Sequence, residues 1–168
     1  MIIYPKEYLN SVKDISIDFL NQNKIKGIIL DVDNTLITLE KKMPDGVIEW
    51  VENMKKSGIK LCIVSNSNHK EKVEGVAKKI DVPFIFFAKK PLKSGFRRAQ
   101  KLMELNSENI AAVGDQIFTD VIGANRCKMF SVLVKPIEEK DYLITRIKRP
   151  IEKMIVNKYL KTKNKNKR

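Results

Sequence analysis

The sequence predicts an α/β fold in which helices cover both faces of a parallel sheet of five strands. Short runs rich in Ile, Val and Phe alternate with segments of helical periodicity, which is the pattern of βαβ units. Most of these runs lack polar alternation, as expected of strands covered on both faces. With 168 residues, 43% hydrophobic and 32% charged, the chain suits one globular domain and is too apolar for a disordered protein.

The elements follow in order along the chain. The predicted strands cover residues 27–32, 60–64, 83–88, 110–113 and 129–134. The predicted helices cover residues 46–56 and 94–105, with shorter helical pieces at 73–80 and 121–124. Right-handed crossovers between parallel strands place all strand carboxyl ends at one edge of the sheet, where α/β proteins bind ligands. We therefore expect the functional residues at that edge.

The charge is unevenly distributed. The formal net charge is +13, and residues 146–168 hold ten basic residues and a single acid, Glu152. We divide the chain into an N-terminal extension (1–24), a core domain (25–135), an amphipathic helical region (136–160) and a disordered basic tail (161–168). Long-range attraction to anionic partners should come mostly from the C-terminus.

Several functional classes are excluded by composition. Cys62 and Cys127 are too few for a disulfide framework, and with His69 as the single histidine there is no His/Cys zinc site. Cys62 and Trp50 are predicted core residues. No run resembles a signal peptide or a membrane span, so we expect a cytoplasmic protein whose membrane contact, if any, is peripheral.

Two acidic groups follow predicted strands. Asp31 and Asp33 end the first strand with a spacing that points both side chains to the same side. Beside an apolar strand these carboxylates repel each other and lose hydration, a cost that a divalent cation removes, so we favour this reading over solubilising loop residues. Asp115 follows the fourth strand, and Asp120 lies within helical reach of it. Oxygen ligands without His or Cys are typical of Mg²⁺.

These residues occur in the order of known family motifs. Asp31-x-Asp33-x-Thr35, Ser65, Lys90-Pro91 and Gly114-Asp115 with Asp120 resemble the motifs of the haloacid dehalogenase (HAD) superfamily over residues 25–134. The resemblance implies a Rossmann-like three-layer sandwich. The segments from Thr35 to Ser65 and from Ser65 to Lys90 each hold only one helix and one strand, so there is no room for a cap domain. An open catalytic edge suits a macromolecule or a lipid headgroup.

A finer resemblance comes from the wider pattern. Residues 95–99 (GFRRA) and 114–121 (GDQIFTDV) are similar to subgroup III phosphatases that include the phosphatidylglycerophosphate (PGP) phosphatases of bacteria and mitochondria. Residues 127–129 (CKM) depart from the small residues expected there, and the lysine tail is longer. The resemblance implies an enzyme that converts PGP to phosphatidylglycerol at the inner face of a membrane.

The resemblance also implies roles for single residues. Asp31 is the nucleophile that forms an aspartyl-phosphate, and Asp33 is the general acid and base. Mg²⁺ is held by Asp31, by the Asp33 backbone carbonyl and by Asp115, with Asp120 as a direct ligand or one acting through water.

The resemblance further implies that Ser65 and Lys90, which follow the second and third predicted strands, bind the oxygens of the phosphate group. Ser65 and Asn66 follow the second strand, where this polar run could equally cap the next helix. Spacing alone makes Lys89, Lys90 and Lys93 all candidates, and Lys90 is chosen because Pro91 follows it.

The C-terminal region leaves alternatives open. Residues 141–160 place apolar side chains at helical spacing, with Pro150 predicted to divide the helix. The helix could pack on the sheet, lie on anionic lipid beside the basic tail, or do both. The substrate could instead be a soluble or macromolecular phosphate ester (a sugar phosphate, phosphoprotein or polynucleotide end), and the non-enzymatic alternative is a nucleic-acid-binding module. The oligomeric state stays open.

Overall fold

The computed structural model describes residues 1–139 and 143–165 and contains one parallel sheet of six strands. The strands are β1 (Glu7–Leu9), β2 (Gly27–Leu30), β3 (Lys60–Val64), β4 (Phe84–Ile85), β5 (Ile110–Gly114) and β6 (Phe130–Val134). Their order is β1-β6-β5-β2-β3-β4, and every pair of neighbours is parallel. The predicted α/β class with a parallel sheet is confirmed.

The predicted count of five strands was one too low. The additional strand, β1, lies in the N-terminal segment and pairs with the edge of β6, with Tyr8 opposite Leu133. It has only three residues, all half-buried, and its Glu-Tyr-Leu sequence lacks the apolar run that marks a central strand. β4 is also shorter than predicted, because the chain leaves the sheet after Ile85 and exposes Phe87.

Six α-helices accompany the strands within the described residues. They are α1 (Ile17–Gln22), α2 (Val47–Lys56), α3 (Lys70–Ile80), α4 (Lys93–Met103), α5 (Ile122–Arg126) and α6 (Leu143–Lys165). A single π-helical turn, Ile117–Val121, leads into α5. α2 and α4 lie close to their predicted positions, whereas α3 begins three residues before the predicted start because its first turn is polar.

The sheet separates two hydrophobic cores. On one face, Ile28 and Leu30 pack with side chains from α1, α2 and α3, including Val51 and Val73. On the other face, Ile29, Cys62 and Val64 pack with α4 and α5 around Phe96. Alternate residues of one strand thus enter opposite layers, which is the three-layer arrangement predicted for strands covered on both faces. Trp50 is buried as predicted, and its Nε1 donates to the Ile15 carbonyl at 2.9 Å.

Helix α6 packs on the edge of the sheet. Ile155 and Val156 contact the small core around Ile117 and Leu133, and the Tyr159 hydroxyl donates to the Lys6 carbonyl at 3.2 Å. The helix continues through Pro150, so its predicted division there was wrong; contacts with the core on both sides of the proline hold the two halves in line.

The C-terminal tail was also predicted to be disordered from residue 161. The structure instead extends α6 to Lys165, with Lys163 paired to Glu7 of β1, whereas residues 166–168 lie outside the described residues. No helix within the described ranges is long and apolar enough to cross a membrane.

Candidate active site

Three buried aspartates meet at the carboxyl edge of the sheet. Asp31 follows β2, Asp115 follows β5 and Asp120 lies in the π-helical turn, and each is at most 7% exposed. β2 and β5 are neighbours, and the Asp31 amide continues their ladder by donating to Val113 at 2.9 Å. One carboxylate oxygen of each aspartate lies within 4.8 Å of the other two. These three residues are called the acidic cluster below.

Gly114 allows Asp120 to reach the acidic cluster. A Cβ built on Gly114 would lie 2.6 Å from the Asp120 Cβ and even closer to its carboxyl group. The Asp120 carboxylate accepts from the Gln116 amide at 3.1 Å, which fixes it against the end of β5. A residue with a side chain at position 114 would therefore displace Asp120.

Lys90 balances two of the three carboxylates. Its Nζ donates to Asp31 Oδ1 at 2.7 Å and to Asp120 Oδ1 at 2.6 Å, and the side chain is buried. Burial alone would lower the pKa of Lys90, but the Asp120 and Asp31 carboxylates outweigh it and raise this pKa above its usual value. Of the three candidate lysines, the structure brings Lys90 to the cluster, while Lys89 lies over the exposed Phe87 ring and Lys93 begins α4.

Asn66 and Ser65 support the phosphate side of the site in different ways. The Asn66 side chain contacts the backbone of Lys90, accepting from its amide at 2.6 Å and donating to its carbonyl at 3.0 Å. Asn66 thus positions Lys90, and its predicted direct contact with phosphate stays a prediction. Ser65 is buried, and its hydroxyl oxygen accepts from the Ser67 amide at 3.1 Å.

The Asp33 carboxylate lies apart from the acidic cluster. It pairs with Lys72 in the first turn of α3, and about a quarter of its side chain is exposed. Among the described residues, the structure therefore groups Asp31, Asp115 and Asp120 as candidate metal ligands, while the Asp33 side chain faces Lys72. A contribution of Asp33 through its backbone carbonyl stays a prediction.

The loop after β2 turns back on itself at Asn34. Asn34 adopts a left-handed conformation (φ 61°), which Asn tolerates better than most residues, and its side chain exchanges hydrogen bonds with the Glu138 backbone at 2.9 and 3.1 Å. The next residue, Thr35, places its hydroxyl 3.3 Å from Asp31 Oδ2 and 3.4 Å from Asp115 Oδ1. Thr35 thus links two members of the acidic cluster.

The charges of the cluster fit a divalent cation. Burial, and after it the neighbouring Asp31 carboxylate, raise the pKa of Asp115 well above its usual value against the opposing effect of Arg149. Burial and the Asp31 carboxylate also raise the pKa of Asp120, to about 6, although Lys90 acts in the opposite direction. Three carboxylates beside two cationic side chains leave a buried site of negative charge with oxygen donors. That donor set is typical of Mg²⁺ and related hard cations.

One member of the acidic cluster, Asp31, lines a polar cavity of about 1000 Å³. Its lining includes Asp31, Asp33, Ser65, Asn66 and Lys90, so the predicted catalytic and phosphate-binding residues share one space. Three further lysines line the same cavity: Lys41, Lys72 and Lys148. An anionic substrate would therefore meet positive charge on several sides.

Sequence reasoning missed several of the contacts that shape this site. Thr35 stood in the first motif but received no role. Lys72 lies one residue before the predicted start of its helix. Arg149 on α6 contacts Asp115, and Glu152 joins that contact, although no local motif marks either residue.

Comparisons with known proteins agree with this architecture. A family model described as "Mitochondrial PGP phosphatase" matches residues 1–138. The protein named "Probable phosphatase YqeG" from Bacillus subtilis is 39% identical over 154 residues, covering 91% of this chain and 89% of that protein.

Solved structures show the same fold at lower identity. An uncharacterized protein from Listeria monocytogenes serotype 4b has a TM-score of 0.54 and 19% identity, covering 71% of this chain and 86% of that one. A HAD phosphatase from Thermococcus onnurineus has a TM-score of 0.51 and 23% identity over 61% of this chain and 51% of its own. A 3-deoxy-D-manno-octulosonate 8-phosphate phosphatase from Yersinia pestis has a TM-score of 0.50 and 14% identity over 73% and 79%.

Proposed function

This chain belongs to the PGP phosphatase family and is a phosphatase of the HAD type, and on that premise we propose that it is an Mg²⁺-dependent enzyme that dephosphorylates PGP. The observation that carries the proposal is the contact of one buried lysine, Lys90, with both Asp31 and Asp120, beside an open cavity that Lys90 and Asp31 line. Asp33 and Ser65 line the same cavity, which supports their proposed roles as general acid and phosphate ligand beside the nucleophile Asp31.

The proposed reaction has two steps. In the first, an Asp31 oxygen attacks phosphorus, the bond from phosphorus to the ester oxygen breaks, and Asp33 gives its proton to that oxygen. In the second, Asp33 takes a proton from water as the water attacks the phosphorus of the aspartyl-phosphate, which releases inorganic phosphate and regenerates Asp31. In the free protein Lys72 pairs with the Asp33 carboxylate, so the proposed first step requires Asp33 to leave this ion pair when it carries the proton.

The chain's own residues also provide charge stabilisation. Asp31, Asp115 and Asp120 would hold Mg²⁺, with the Asp33 carbonyl as a further proposed ligand; when bound, the ion reduces repulsion between the anionic nucleophile and the anionic ester. Lys90 and Ser65, which line the same cavity, are the proposed ligands for the oxygens of the transferred group. Catalysis of phosphoryl transfer depends mainly on such positioning and charge stabilisation.

A lipid substrate is supported by the exposed surface of α6. Ile147, Ile151 and Met154 are 77%, 51% and 70% exposed, and their spacing places them along one helical face. α6 packs on the protein through Val156, on the side opposite this stripe, and through Ile155, which lies next to Ile151. An exposed apolar stripe flanked by lysines fits an anionic membrane surface, so we propose peripheral association at the cytoplasmic face.

The catalytic proposal is tested by phosphate release from PGP in phosphatidylglycerol vesicles with Mg²⁺. We expect Asp31→Asn to abolish turnover and Asp33→Asn to slow it by at least about 100-fold, because general acid–base catalysis contributes roughly 10²–10⁴-fold. Asp45→Asn, which changes an exposed aspartate at the far end of the same connection, just before α2, should behave like the wild type. Full turnover in the Asp31→Asn protein would refute the nucleophile assignment.

The substrate is tested separately. A sugar phosphate is the second candidate, because a structural neighbour carries the name of a 3-deoxy-D-manno-octulosonate 8-phosphate phosphatase and the cavity here is polar and open. We expect a higher kcat/KM for PGP in vesicles than for this sugar phosphate. The reverse order would overturn the lipid substrate and leave the reaction intact.

Membrane association has its own test. Sedimentation with phosphatidylglycerol vesicles should be lost in the double variant Ile147→Glu/Met154→Glu. Leu102→Glu is the matched control, because Leu102 is an apolar side chain on α4 that is 58% exposed but lies on another helix. Equal binding of the double variant and the control would show that α6 does not contact the membrane.

A further inference from the structure

Helix α6 reaches the active site through Arg149. Its Nη1 donates to the Asp115 carbonyl at 2.7 Å, and its Nη2 pairs with the Asp115 carboxylate at Oδ2. The Asp115 side chain is completely buried and that of Arg149 is 14% exposed. The planar guanidinium therefore contacts both the backbone and the side chain of one candidate metal ligand, a geometry that lysine cannot reproduce.

Glu152 completes this contact. It lies nearly one helical turn after Arg149, accepts from Arg149 Nη1 at 3.3 Å and is itself buried. Its second oxygen accepts from the Phe118 amide at 3.1 Å. Arg149 thus binds the first residue of the turn from Asp115 to Phe118, and Glu152 binds its last residue. This turn connects β5 with the π-helical turn that contains Asp120.

The two oxygens of Asp115 face different partners. Oδ2 is held by Arg149, whereas Oδ1 lies 3.4 Å from the Thr35 hydroxyl, which is also 3.3 Å from Asp31. We propose that Arg149 is a positioning residue that keeps Asp115 Oδ1 turned toward Asp31, and thereby links the docking of α6 to the binding of a divalent cation. This inference rests on the proposed Mg²⁺-dependent function.

The packing of α6 against the sheet is incomplete, which gives its polar contacts with Asp115 and Phe118 more weight in docking the helix. A cavity of about 230 Å³ separates part of the helix from the sheet, and its lining includes Tyr8, Leu133 and Val156. Close packing is therefore incomplete there, and the polar contacts of Arg149 and Glu152 carry more of the docking. The match to the family model ends at residue 138, before α6 begins, so the matched family features do not include Arg149.

A cation beside a metal ligand could have the opposite effect. Arg149 would then compete with Mg²⁺ for Asp115, and its removal would raise the affinity for the ion. The positions of the oxygens favour positioning, because Arg149 occupies Oδ2 and leaves Oδ1 on the side of Asp31. Residues that hydrogen-bond to a metal ligand without binding the metal themselves typically contribute about 10–100-fold to metal affinity.

The test measures Mg²⁺ binding to the full chain by isothermal titration calorimetry, with Mg²⁺ alone and no substrate. Arg149→Met should weaken Mg²⁺ binding by about 10–100-fold. Arg149→Lys keeps the positive charge but not the two-point contact of the guanidinium with Asp115, so its Mg²⁺ affinity should lie between those of Arg149→Met and the wild type. Glu152→Gln should weaken Mg²⁺ binding several-fold. Lys158→Met is the control, since it removes one positive charge from an exposed position of the same helix and should leave the affinity unchanged.

A second readout follows α6 itself. Because coupling between two equilibria is reciprocal, Mg²⁺ should slow amide hydrogen exchange in α6 of the wild type and have no such effect in Arg149→Met. Circular dichroism verifies that the variants retain their helix content, and Glu152→Gln provides a test if Arg149→Met is misfolded.

Three outcomes would overturn the inference. If Arg149→Met bound Mg²⁺ with an affinity within twofold of the wild type, Arg149 would only attach α6 to the sheet. If it bound Mg²⁺ more tightly than the wild type, Arg149 would compete with the ion. If the wild-type protein bound no Mg²⁺, both this inference and the metal site of the proposed function would fail. In the first two outcomes only this inference fails, because the wild type still binds Mg²⁺.

Discussion

Replacing Gly114 by Ala should disable the site through a single methyl group. The added Cβ would lie 2.6 Å from the Asp120 Cβ, whereas carbon atoms in contact are separated by about 3.5–4.0 Å. Asp120 must therefore move by roughly 1 Å or more. That displacement disrupts its hydrogen bonds to Gln116 and Lys90, which are 3.1 and 2.6 Å long in the native site.

The expected size of the effect follows from this displacement. A misplacement of about 1 Å at an active site can cost about 100-fold in rate, equivalent to about 2.7 kcal/mol of transition-state stabilisation. Overpacking should also lower the free energy of unfolding by about 1–3 kcal/mol. We therefore expect kcat/KM for p-nitrophenyl phosphate with Mg²⁺ to fall at least about 100-fold, while the protein remains folded at 25 °C.

Gly75→Ala is the matched control for this experiment. Gly75 lies within α3, and a Cβ built there meets no atom within 4 Å, so the substitution should keep full activity and raise helix stability by about 0.5–1 kcal/mol. The assay compares kcat/KM and urea unfolding for both variants. Wild-type kcat/KM and Mg²⁺ affinity in Gly114→Ala would refute the idea that Gly114 sets the position of Asp120.

Three other predictions concern stability and reactivity. Lys90→Met should lower the free energy of unfolding without Mg²⁺ by about 3–5 kcal/mol, since it leaves two buried carboxylates without this cation; an unchanged urea midpoint would contradict it. Lys128→Gly should stabilise the protein by about 0.5–1 kcal/mol, because Lys128 has a φ of 60° that favours glycine, and a lower melting temperature would argue against this. Burial raises the pKa of Cys62 to about 12 and also raises that of Cys127, so both thiols should resist iodoacetamide at pH 8 in the native protein and react in urea, as followed by mass spectrometry.

Much of the site could be predicted because its residues follow strands. In a parallel sheet the carboxyl ends of all strands meet at one edge, so the residues after β2, β3 and β5 come together whatever their separation in sequence. Asp31, Ser65 and Asp115 share this edge for that reason. Lys90 also reaches it, although β4 ends after Ile85, because Asn66 holds the backbone of Lys90 at the end of β3.

The features that the sequence did not reveal depend on pairing and on distant contacts. β1 is a three-residue edge strand whose partner lies more than 120 residues away, and such a segment has too few residues to show periodicity. Lys72 precedes the first apolar residue of its helix, and the predicted boundary excluded it. For Arg149 the amphipathic pattern indicated a helix, but which of its basic side chains turns inward depends on the surface against which the helix packs.

Helix α6 connects the proposed membrane contact with the proposed metal site, because it presents one side to each. Arg149 and Glu152 face the protein and contact the turn after β5, whereas Ile147 and Ile151 alternate with them and are exposed. A membrane that binds the exposed stripe therefore acts on the same turns of helix that hold Asp115. If lipid favours the docked helix, the equilibrium Kd for Mg²⁺ should be lower on phosphatidylglycerol vesicles than in detergent. By reciprocity, Mg²⁺ should then also strengthen vesicle binding by the same factor.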